Sequence, residues 1–324
     1  MRICYIANAN SIHTQKWINY FIDKGHNILW LPPDKIKNRL KLIYLAHKFK
    51  SDILHAHYVG WNGLTAVLAN IHPFFMTIYG SDILINQKNF FKRQVLKFIL
   101  SKADLITTDA EHMRSHMQEL GVSKSKIKDI NFGIDIELFK PEPMAHINPT
   151  VISLRNLEPI YDIATLIKAI PFVLDKIPGA RFIICGTGNE FSYLVCLLMS
   201  LGITNQVVFN NNVPNNLIPK LLNRSDVYVS TSLSDAGIAA STAEAMACGL
   251  VCLATDIDSN REWFDKELLF PCGNHIILAD KIIRALGHEY DNYKMLNRYK
   301  MQDFNNYQIE MEKMNGLYKA YQRS

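Results

Sequence analysis

Two hydrophobic patterns alternate along the chain. Short and almost continuous apolar runs, such as VISL, RFIICG and VYVST, predict β-strands that are buried on both faces. The segments between them carry apolar residues at helical spacing. The predicted strands are 2–8, 26–31, 52–56, 74–79, 103–107, 127–131, 150–154, 180–185, 206–209, 226–231 and 250–255. Because strands that alternate with helices form parallel sheets, we predict an α/β fold with doubly wound sheets.

Two of the intervening helices have boundaries that the sequence marks. Amphipathic stretches occupy 13–24 and 109–120, and a glycine directly follows each of them. Glycine is common after the last helical residue because it adopts left-handed backbone conformations without a steric cost. Thr108 and Glu111 have the spacing of a capping box, which predicts that Thr108 caps the second helix.

A break in the pattern divides the chain into two predicted domains. The segment FKPEPMAHINPT at 139–150 contains three prolines and has no periodicity, so it is predicted to be a linker. We predict a Rossmann-like N-terminal domain at 1–147 and a Rossmann-like C-terminal domain at 148–304. Residues 305–324 are predicted to form a final helix that can pack back on the N-terminal domain.

Composition excludes several classes of protein. The chain has 324 residues, 48% of them hydrophobic and 20% charged, which excludes disordered, collagen-like and coiled-coil proteins. No apolar run approaches the roughly 20 residues that span a bilayer, and the N-terminus is interpreted as a strand of the mature protein, not a signal peptide. The six cysteines are scattered without metal-binding spacing, so we expect buried, reduced thiols and a cytoplasmic location.

The positive charge is concentrated in the N-terminal part of the chain. Residues 1–148 contain 19 Lys and Arg and 12 Asp and Glu, a difference of +7, whereas the whole chain carries +5. Basic residues are interleaved with apolar ones at 35–50 and 88–102. Such helices either lie on an anionic membrane surface, as a peripheral protein at its inner face would, or turn their apolar residues to the core. Nucleic acid is not an expected partner, because no recognition motif accompanies the charge.

Four motifs together carry a resemblance to a known family. LSDAGIAASTAEAMACGLVCLATD (233–256) resembles the C-terminal signature of family-4 glycosyltransferases of the GT-B fold, the glycosyl transferases group 1. FGIDIELFKP (132–141), IICGTGNE (183–190) and YGSDI (79–83) extend the resemblance along nearly the whole chain. The resemblance implies two Rossmann-like domains facing across a cleft. It also implies transfer of a sugar from a nucleoside diphosphate sugar to an acceptor hydroxyl, with retention at the anomeric carbon and with neither cofactor nor metal.

The resemblance assigns two acidic residues to the donor. Glu244 is expected to bind the ribose hydroxyls of the nucleotide sugar, since an ionised carboxylate accepts two hydroxyl donors. The alternative is that Glu244 closes a capping box with Ser241. The family places a second acid eight positions before this glutamate, whereas here Asp235 lies nine positions before it. Asp235 is therefore either the acid beside the donor sugar or an ordinary loop residue.

Further residues are expected to hold the diphosphate. The resemblance places Arg155 on this group, where an arginine supports the departing phosphate, although the lysine that the family has about five residues later is missing. An ordinary ion pair is the alternative for Arg155. Backbone amides of a loop before a helix suit the same anion. The remaining predicted donor residues are Gly186, Gly188, Gly237, Ile238, Ala239 and Ser241, and the first two could equally form a tight strand–helix turn.

The N-terminal domain is expected to bind the acceptor, which would be a glycan or a lipid-linked saccharide. His57 follows an apolar strand, so its imidazole could orient an acceptor hydroxyl, and Asp82 is expected beside it. The HAH sequence at 55–57 also suggests a metal site, but no acidic ligand at suitable spacing supports one. The other predicted acceptor-side residues are Asn10, His13, Tyr79 and Gly80.

Three functions follow, of which one is preferred. The preferred function is a nucleotide-sugar-dependent hexosyltransferase of polysaccharide or cell-envelope biosynthesis. A catalytically degenerate GT-B scaffold, or a binding subunit of a glycan-assembly complex, is the alternative, since the missing lysine and the shifted acid both depart from the family. A dinucleotide-dependent oxidoreductase requires GxGxxG after the first strand, and ANANSIH has no glycine there.

Overall fold

The computed structural model describes residues 1–80, 83, 89–144 and 147–322, and for Ile12 and His13 the backbone alone. The chain forms two compact units. The first unit comprises Met1–Gly133 and the C-terminal segment that begins at Tyr307, and the second unit comprises Ile134–Asn306. Asp82 and Lys88, the first residue of the predicted basic stretch 88–102, lie outside the described residues.

The described strands form one parallel sheet in each unit. In the first unit the order is β2-β1-β3-β4-β5-β6, and in the second it is β12-β11-β10-β7-β8-β9. The strands are β1 Arg2–Ile6, β2 Asn27–Leu31, β3 Ile53–His57, β4 Phe74–Thr77, β5 Leu105–Thr108, β6 Ile127–Asp129, β7 Thr150–Leu154, β8 Arg181–Cys185, β9 Val207–Asn210, β10 Val227–Ser230, β11 Val251–Thr255 and β12 Leu269–Phe270. All eleven predicted strands are confirmed, and the two-residue β12 was missed. The predicted α/β fold with doubly wound sheets is likewise confirmed.

Helices connect successive strands of both sheets. They are α1 Ile12–Asp23, α2 Arg39–Phe49, α3 Trp61–Ala69, α4 Phe90–Lys102, α5 Glu111–Glu119, α6 Ile163–Lys176, α7 Phe191–Leu201, α8 Ile218–Leu222, α9 Ala240–Ala247, α10 Asp258–Arg261, α11 His275–Leu286, α12 Asn292–Phe304 and α13 Tyr307–Gln322. Gly25 and Gly121 follow α1 and α5 with φ of 79° and 93°, which confirms the predicted helix ends. Among the described residues, no helix is both long enough and apolar enough to cross a bilayer.

The capping box predicted at Thr108 is wrong. Thr108 is the last residue of β5, and its carbonyl accepts a hydrogen bond from the Ile130 N–H at 2.9 Å. It therefore belongs to the sheet and not to the helix N-terminus. Helix α5 begins at Glu111 after Ala110, without a side-chain cap.

The proline-rich segment is attached to the second unit. The Arg298 guanidinium of α12 donates to the carbonyl of Phe139 at 2.5 Å and to that of Ile136 at 2.9 Å. The Asn223 side chain accepts from the Glu142 N–H at 2.8 Å and donates to the carbonyl of Lys140 at 3.0 Å. The chain therefore joins the second unit before the prolines, at the Gly133–Ile134 step.

The cysteines are only partly as expected. All six are free. Four are buried, namely Cys4, Cys185, Cys248 and Cys252. Cys196 and Cys272 are exposed, so the expectation of buried thiols is wrong for these two residues.

Successive residues of β1 serve two different cores, as the alternation along a strand requires. Cys4 and Ile6 pack with the apolar residues of α2 to α5. Ile3 and Tyr5 pack on the other face with α1 and α13. The C-terminal helix α13 contributes three fully buried side chains to this second core: Met311, Met314 and Tyr318.

A hydrogen-bonded chain of side chains crosses the core beneath α13. The Tyr318 hydroxyl bonds to the Tyr5 hydroxyl at 2.9 Å and to Nδ1 of His55. Nε2 of His55 lies 2.7 Å from Oγ1 of Thr77, which lies 2.7 Å from Oγ1 of Thr107. These polar groups are tolerated in the core because each one is paired.

Replacing Tyr318 with phenylalanine is expected to lower the free energy of unfolding by about 1–3 kcal/mol, because it leaves buried partners at Tyr5 and His55 without their hydrogen bond. Denaturant unfolding measures the change. The matched control is Tyr299→Phe, where the side chain is 53% exposed and we expect a change within about 0.5 kcal/mol. Equal stabilities of the two variants would contradict this prediction.

The same network predicts a dependence of stability on pH. Burial and the neighbouring His57 lower the pKa of His55 well below its usual value, so His55 stays neutral in the folded state. In the unfolded chain it takes up a proton below pH about 6.5, so the free energy of unfolding should fall as the pH drops, by up to about 1.4 kcal/mol per pH unit. Unfolding measured at several pH values should show a smaller slope for His55→Gln, and an unchanged slope would contradict the prediction.

Candidate active site

The order of the second sheet marks where a ligand is expected. Strand β7 lies between β8 and β10, so the connections leave β7 in opposite directions and the sheet reverses its order there. Ligands of doubly wound sheets bind beyond the carboxyl ends of the strands at such a switch point. The loops that follow β7 and β10 therefore hold the residues of interest.

Arg155 and Asp235 belong to these two loops and form a buried ion pair. Nη2 of Arg155 lies 2.5 Å from Oδ1 of Asp235, and the two side chains are 9% and 14% exposed. The Tyr161 ring lies 4.3 Å from the guanidinium carbon, where a cation–π contact holds the arginine. Among the described residues, Nε of Arg155 and Oδ2 of Asp235 have no hydrogen-bond partner. One donor and one acceptor of this pair are therefore buried and unsatisfied.

The beginning of α9 excludes the capping-box alternative for Glu244. Ala239 is the N-cap residue and makes no side-chain cap, and α9 begins at Ala240. The Ser241 hydroxyl instead bonds to the Tyr228 hydroxyl on β10 at 2.9 Å. Glu244 is therefore a half-buried residue of the second helical turn and not part of a cap.

The residues before α9 offer backbone donors. Gly237 and Ile238 are buried, and the backbone turns into the helix at Ala239. The first amides of a helix have no partner within it, and the helix dipole makes this end attractive to anions. The N-terminus of α9 and Arg155 thus both follow strands at the switch point, which suits an anionic ligand.

The loop after β8 uses its glycines for close contact with the loop after β7. A Cβ added to Gly186 would lie 2.3 Å from the Arg155 carbonyl oxygen, and one added to Gly188 would lie 2.2 Å from that of Leu157. The Leu157 N–H donates to the Thr187 carbonyl at 3.0 Å, and the Glu190 N–H to the Leu157 carbonyl at 2.9 Å. The loop therefore forms the tight turn that was the alternative for Gly186 and Gly188. It packs against the backbone of Arg155 and Leu157.

Gly188→Ala is expected to lower the free energy of unfolding by about 1–3 kcal/mol, because the methyl group overlaps the Leu157 carbonyl. If Arg155 holds the diphosphate of a nucleotide, as the sequence resemblance implies, nucleotide binding should weaken as well, since the loop that carries Arg155 must move. Denaturant unfolding and a nucleotide titration measure the two effects. Gly179→Ala is the matched control, because a Cβ there meets nothing within 4 Å. A Gly188→Ala protein that behaves like this control would contradict the prediction.

His57 is the last residue of β3, and its ring is fully buried. Its Nδ1 lies 3.0 Å from the Tyr79 hydroxyl and 3.1 Å from Oγ1 of Thr14. The HAH spacing turns His55 and His57 to the same face of the sheet, with ring centroids 4.6 Å apart. Among the described residues, no group of His, Cys, Asp and Glu has the arrangement of a metal site.

The other acceptor-side residues lie in loops at the carboxyl ends of the first sheet. Asn10 is exposed in the loop after β1. Gly80 has φ of 87° in the loop after β4, where its carbonyl accepts from the Ile83 N–H at 2.9 Å. The side chain of His13 lies outside the described residues, as does Asp82.

A pocket that sequence reasoning missed lies at the switch point of the first sheet. Strand β1 is flanked by β2 and β3, and the loops that follow these three strands enclose about 500 Å³. Asp34, Lys37, Arg39 and Trp61 line this pocket. The available signal was a cluster of charged residues directly after a strand, which also fits the basic stretch predicted at 35–50.

Family models match both halves of the chain. Residues 135–303 match the family described as Glycosyl transferases group 1, and residues 7–138 match Glycosyltransferase Family 4. The chain belongs to the glycosyl transferases group 1 family. It is a hexose-transferring glycosyltransferase of the GT-B fold, as the motifs predicted.

Relatives of this glycosyltransferase are distant in sequence. It is 22% identical over 298 residues to N-acetyl-alpha-D-glucosaminyl L-malate synthase of Bacillus anthracis. The aligned region covers 86% of this chain and 77% of that relative. It is 23% identical over 259 residues to a GDP-mannose-dependent alpha-(1-6)-phosphatidylinositol monomannoside mannosyltransferase of Mycolicibacterium smegmatis. Here the aligned region covers 72% of this chain and 66% of the relative.

Solved structures share the fold. Sucrose-phosphate synthase from Thermosynechococcus elongatus superposes with a TM-score of 0.83 at 17% identity and covers 99% of this chain and 98% of its own. HepE of Anabaena, in complex with UDP, superposes with a TM-score of 0.80 at 17% identity and covers 99% of this chain and 100% of its own. At these identities the likeness establishes the fold alone.

Proposed function

We propose that this glycosyltransferase transfers a sugar, with retention of anomeric configuration, from a nucleoside diphosphate sugar to a hydroxyl of a glycan or lipid-linked acceptor. The observation that carries the proposal is the set of groups at the switch point of the second sheet. A buried arginine and the N-terminus of α9 suit the diphosphate of such a donor, and a half-buried glutamate on that helix suits its ribose. The names of two relatives agree, since one uses GDP-mannose and the other was solved with UDP.

The proposed roles follow from charge. Arg155 and the amides of Gly237 to Ser241 hold the diphosphate, and Glu244 accepts hydrogen bonds from the ribose hydroxyls. As transfer proceeds, the acceptor oxygen bonds to the anomeric carbon and the electron pair of the broken bond leaves with the diphosphate, which takes up the hydroxyl proton. Positive charge at Arg155 stabilises that leaving group, so the reaction needs no metal at this site.

The acceptor side is proposed on the first unit. His57 and Asp82 are the proposed orienting groups, with Asn10, His13, Tyr79 and Gly80 in the surrounding loops. Because the His57 ring is fully buried, we propose that it acts on the acceptor through the Tyr79 hydroxyl, to which it is hydrogen-bonded. A place in polysaccharide or cell-envelope synthesis, at the inner face of the membrane, fits this acceptor class.

One observation favours the alternative of a non-catalytic scaffold. Arg155 is already paired with Asp235, and no lysine is present at 156–161 to complete the family's diphosphate clamp. A scaffold of this kind would bind nucleotide weakly and form no product.

Incubation with a panel of UDP-, GDP- and ADP-sugars tests the proposal. The expected result is thermal stabilisation by one nucleoside diphosphate and slow release of its sugar to water or to an added acceptor. NMR of the first-formed product reports the anomeric configuration, and an inverted product would overturn the retaining mechanism. Stabilisation without any sugar release, over the whole panel and a set of acceptors, would favour the scaffold.

A further inference from the structure

The solvent side of α4 carries an apolar stripe that the core does not use. Three apolar residues of this helix pack into the first unit: Leu96, Ile99 and Leu100. Phe91, Val95 and Phe98 follow each other at helical spacing and are 79%, 46% and 47% exposed. The sequence alternative in which the helix turns its apolar residues to the core therefore holds for Leu96, Ile99 and Leu100 but not for Phe91, Val95 and Phe98.

A groove of about 390 Å³ separates this stripe from α3. Trp61 and Leu64 line it from α3, and Phe91 and Val95 from α4. Trp61 is 63% exposed although it is a large aromatic residue. An exposed apolar groove of this kind is suited to a hydrocarbon chain.

The groove adjoins the polar pocket at the switch point of the first sheet. Gly60 and Trp61 line both spaces. On the pocket side, the guanidinium carbon of Arg39 lies 3.7 Å from the centroid of the Trp61 ring, and Lys37 also lines the pocket. Asp34 is the acidic residue of the pocket, and its Oδ1 already accepts from the Ala9 N–H at 2.9 Å. The apolar groove thus adjoins a pocket that holds two cations.

The charge of the surrounding surface points to an anionic occupant. Residues 35–50 contain six Lys and Arg, residues 88–102 contain five, and neither stretch contains an acidic residue. Each basic residue near an anionic lipid surface contributes favourably to binding. A neutral glycan would use neither these cations nor the groove.

We propose that the acceptor is an anionic lipid, with its hydrocarbon chain in the groove between α3 and α4 and its phosphate on Lys37 and Arg39. This assignment rests on the proposed function, because it names the acceptor of that reaction. The head group beyond the phosphate then reaches the pocket by the loops after β1 and β2, where Asn8 can donate or accept hydrogen bonds and Asp34 can accept them from sugar hydroxyls.

Dodecyl phosphate below its critical micelle concentration is a suitable probe. Dodecyl maltoside has the same hydrocarbon chain without the charge, and inorganic phosphate has the charge without the chain. Isothermal titration calorimetry should show one molecule of dodecyl phosphate per chain, bound at least ten-fold more tightly than either counterpart. The double variants Phe91→Ser with Val95→Ser, and Lys37→Glu with Arg39→Glu, should each weaken binding about ten-fold or more.

Matched variants control for apolar surface and for charge. Tyr193→Ser with Met199→Ser removes exposed apolar side chains of α7, and Lys124→Glu with Lys128→Glu makes the same change of charge elsewhere on the first unit. Neither control should change binding of dodecyl phosphate. Circular dichroism verifies that every variant is folded.

Each other outcome overturns the assignment in a recognisable way. If only the Lys37→Glu/Arg39→Glu variant loses binding of dodecyl phosphate, the site binds free phosphate. If only the Phe91→Ser/Val95→Ser variant loses it, the site binds an uncharged hydrocarbon chain. Many bound molecules per chain, or equal effects of variants and controls, indicate an unspecific surface. Nucleoside diphosphate is titrated in parallel. If it binds while the lipid probe fails, the proposed function stands without this acceptor; if it fails while the probe binds, the proposed function falls.

Discussion

Glu244→Ala is expected to slow sugar transfer by about a hundred-fold or more. The carboxylate would accept two ribose hydroxyls, and a hydrogen bond to a charged group contributes about 1.5–3 kcal/mol. The fold should tolerate the change, because Glu244 takes no part in a cap and alanine is a strong helix former. Steady-state kinetics with the donor identified in the panel measure the loss.

A nucleotide that lacks the ribose hydroxyls separates ribose binding from a general loss of structure. The unmodified protein should bind the ordinary nucleoside diphosphate much more tightly than its 2′,3′-dideoxy analogue, and the Glu244→Ala variant should bind the two almost equally. Glu137→Ala, at an exposed position of the same unit, should keep the preference. If Glu244→Ala still discriminates between the nucleotides, the glutamate does not bind ribose.

Asp235→Asn is expected to lower the free energy of unfolding by about 3 kcal/mol in the absence of nucleotide. Removing one partner of a buried ion pair leaves the other charge uncompensated, which costs about 3–5 kcal/mol, and Arg155 is only 9% exposed. A bound diphosphate would supply the missing negative charge. Nucleoside diphosphate should therefore raise the melting temperature of Asp235→Asn more than that of the unmodified protein.

The exposed pair of Arg284 and Glu289 offers a matched control. Its side chains are 42% and 55% exposed, so Glu289→Gln should cost no more than about 1 kcal/mol and nucleotide should not compensate for it. Equal thermal shifts for Asp235→Asn and the unmodified protein would mean that the diphosphate binds away from Arg155. Asp235 would then be a structural partner of the arginine and no part of a donor site.

Sequence periodicity predicted the sheets well because a strand buried on both faces is apolar throughout its length. VISL and VYVST became β7 and β10, the neighbours that define the switch point. Strand β12 was missed because two residues, paired only with the end of β11, make no periodic pattern. The predicted capping boxes were less reliable, because a hydroxyl that could cap a helix can also bond to a tertiary partner. The Ser241 hydroxyl, for example, bonds to the Tyr228 hydroxyl.

The candidate site was predicted in part. The motif around Glu244 identified the helix, but the contact between Arg155 and Asp235 joins residues 80 positions apart and depends on the order of the strands. The pocket with Lys37 and Arg39 was missed for a similar reason. Its walls come from loops after three different strands, and Asn8, Asp34 and Trp61 share no sequence pattern.

The return of the chain to its first unit has a consequence for biosynthesis. Met311, Met314 and Tyr318 cover one face of the first sheet, yet they are made after the whole second unit. While the ribosome is still translating the second unit, Tyr5 and His55 therefore lie at an uncovered apolar surface. A nascent chain of this protein should remain sensitive to proteases and available to chaperones until α13 has emerged, and a shortened gene product that ends near residue 306 should stay in that state.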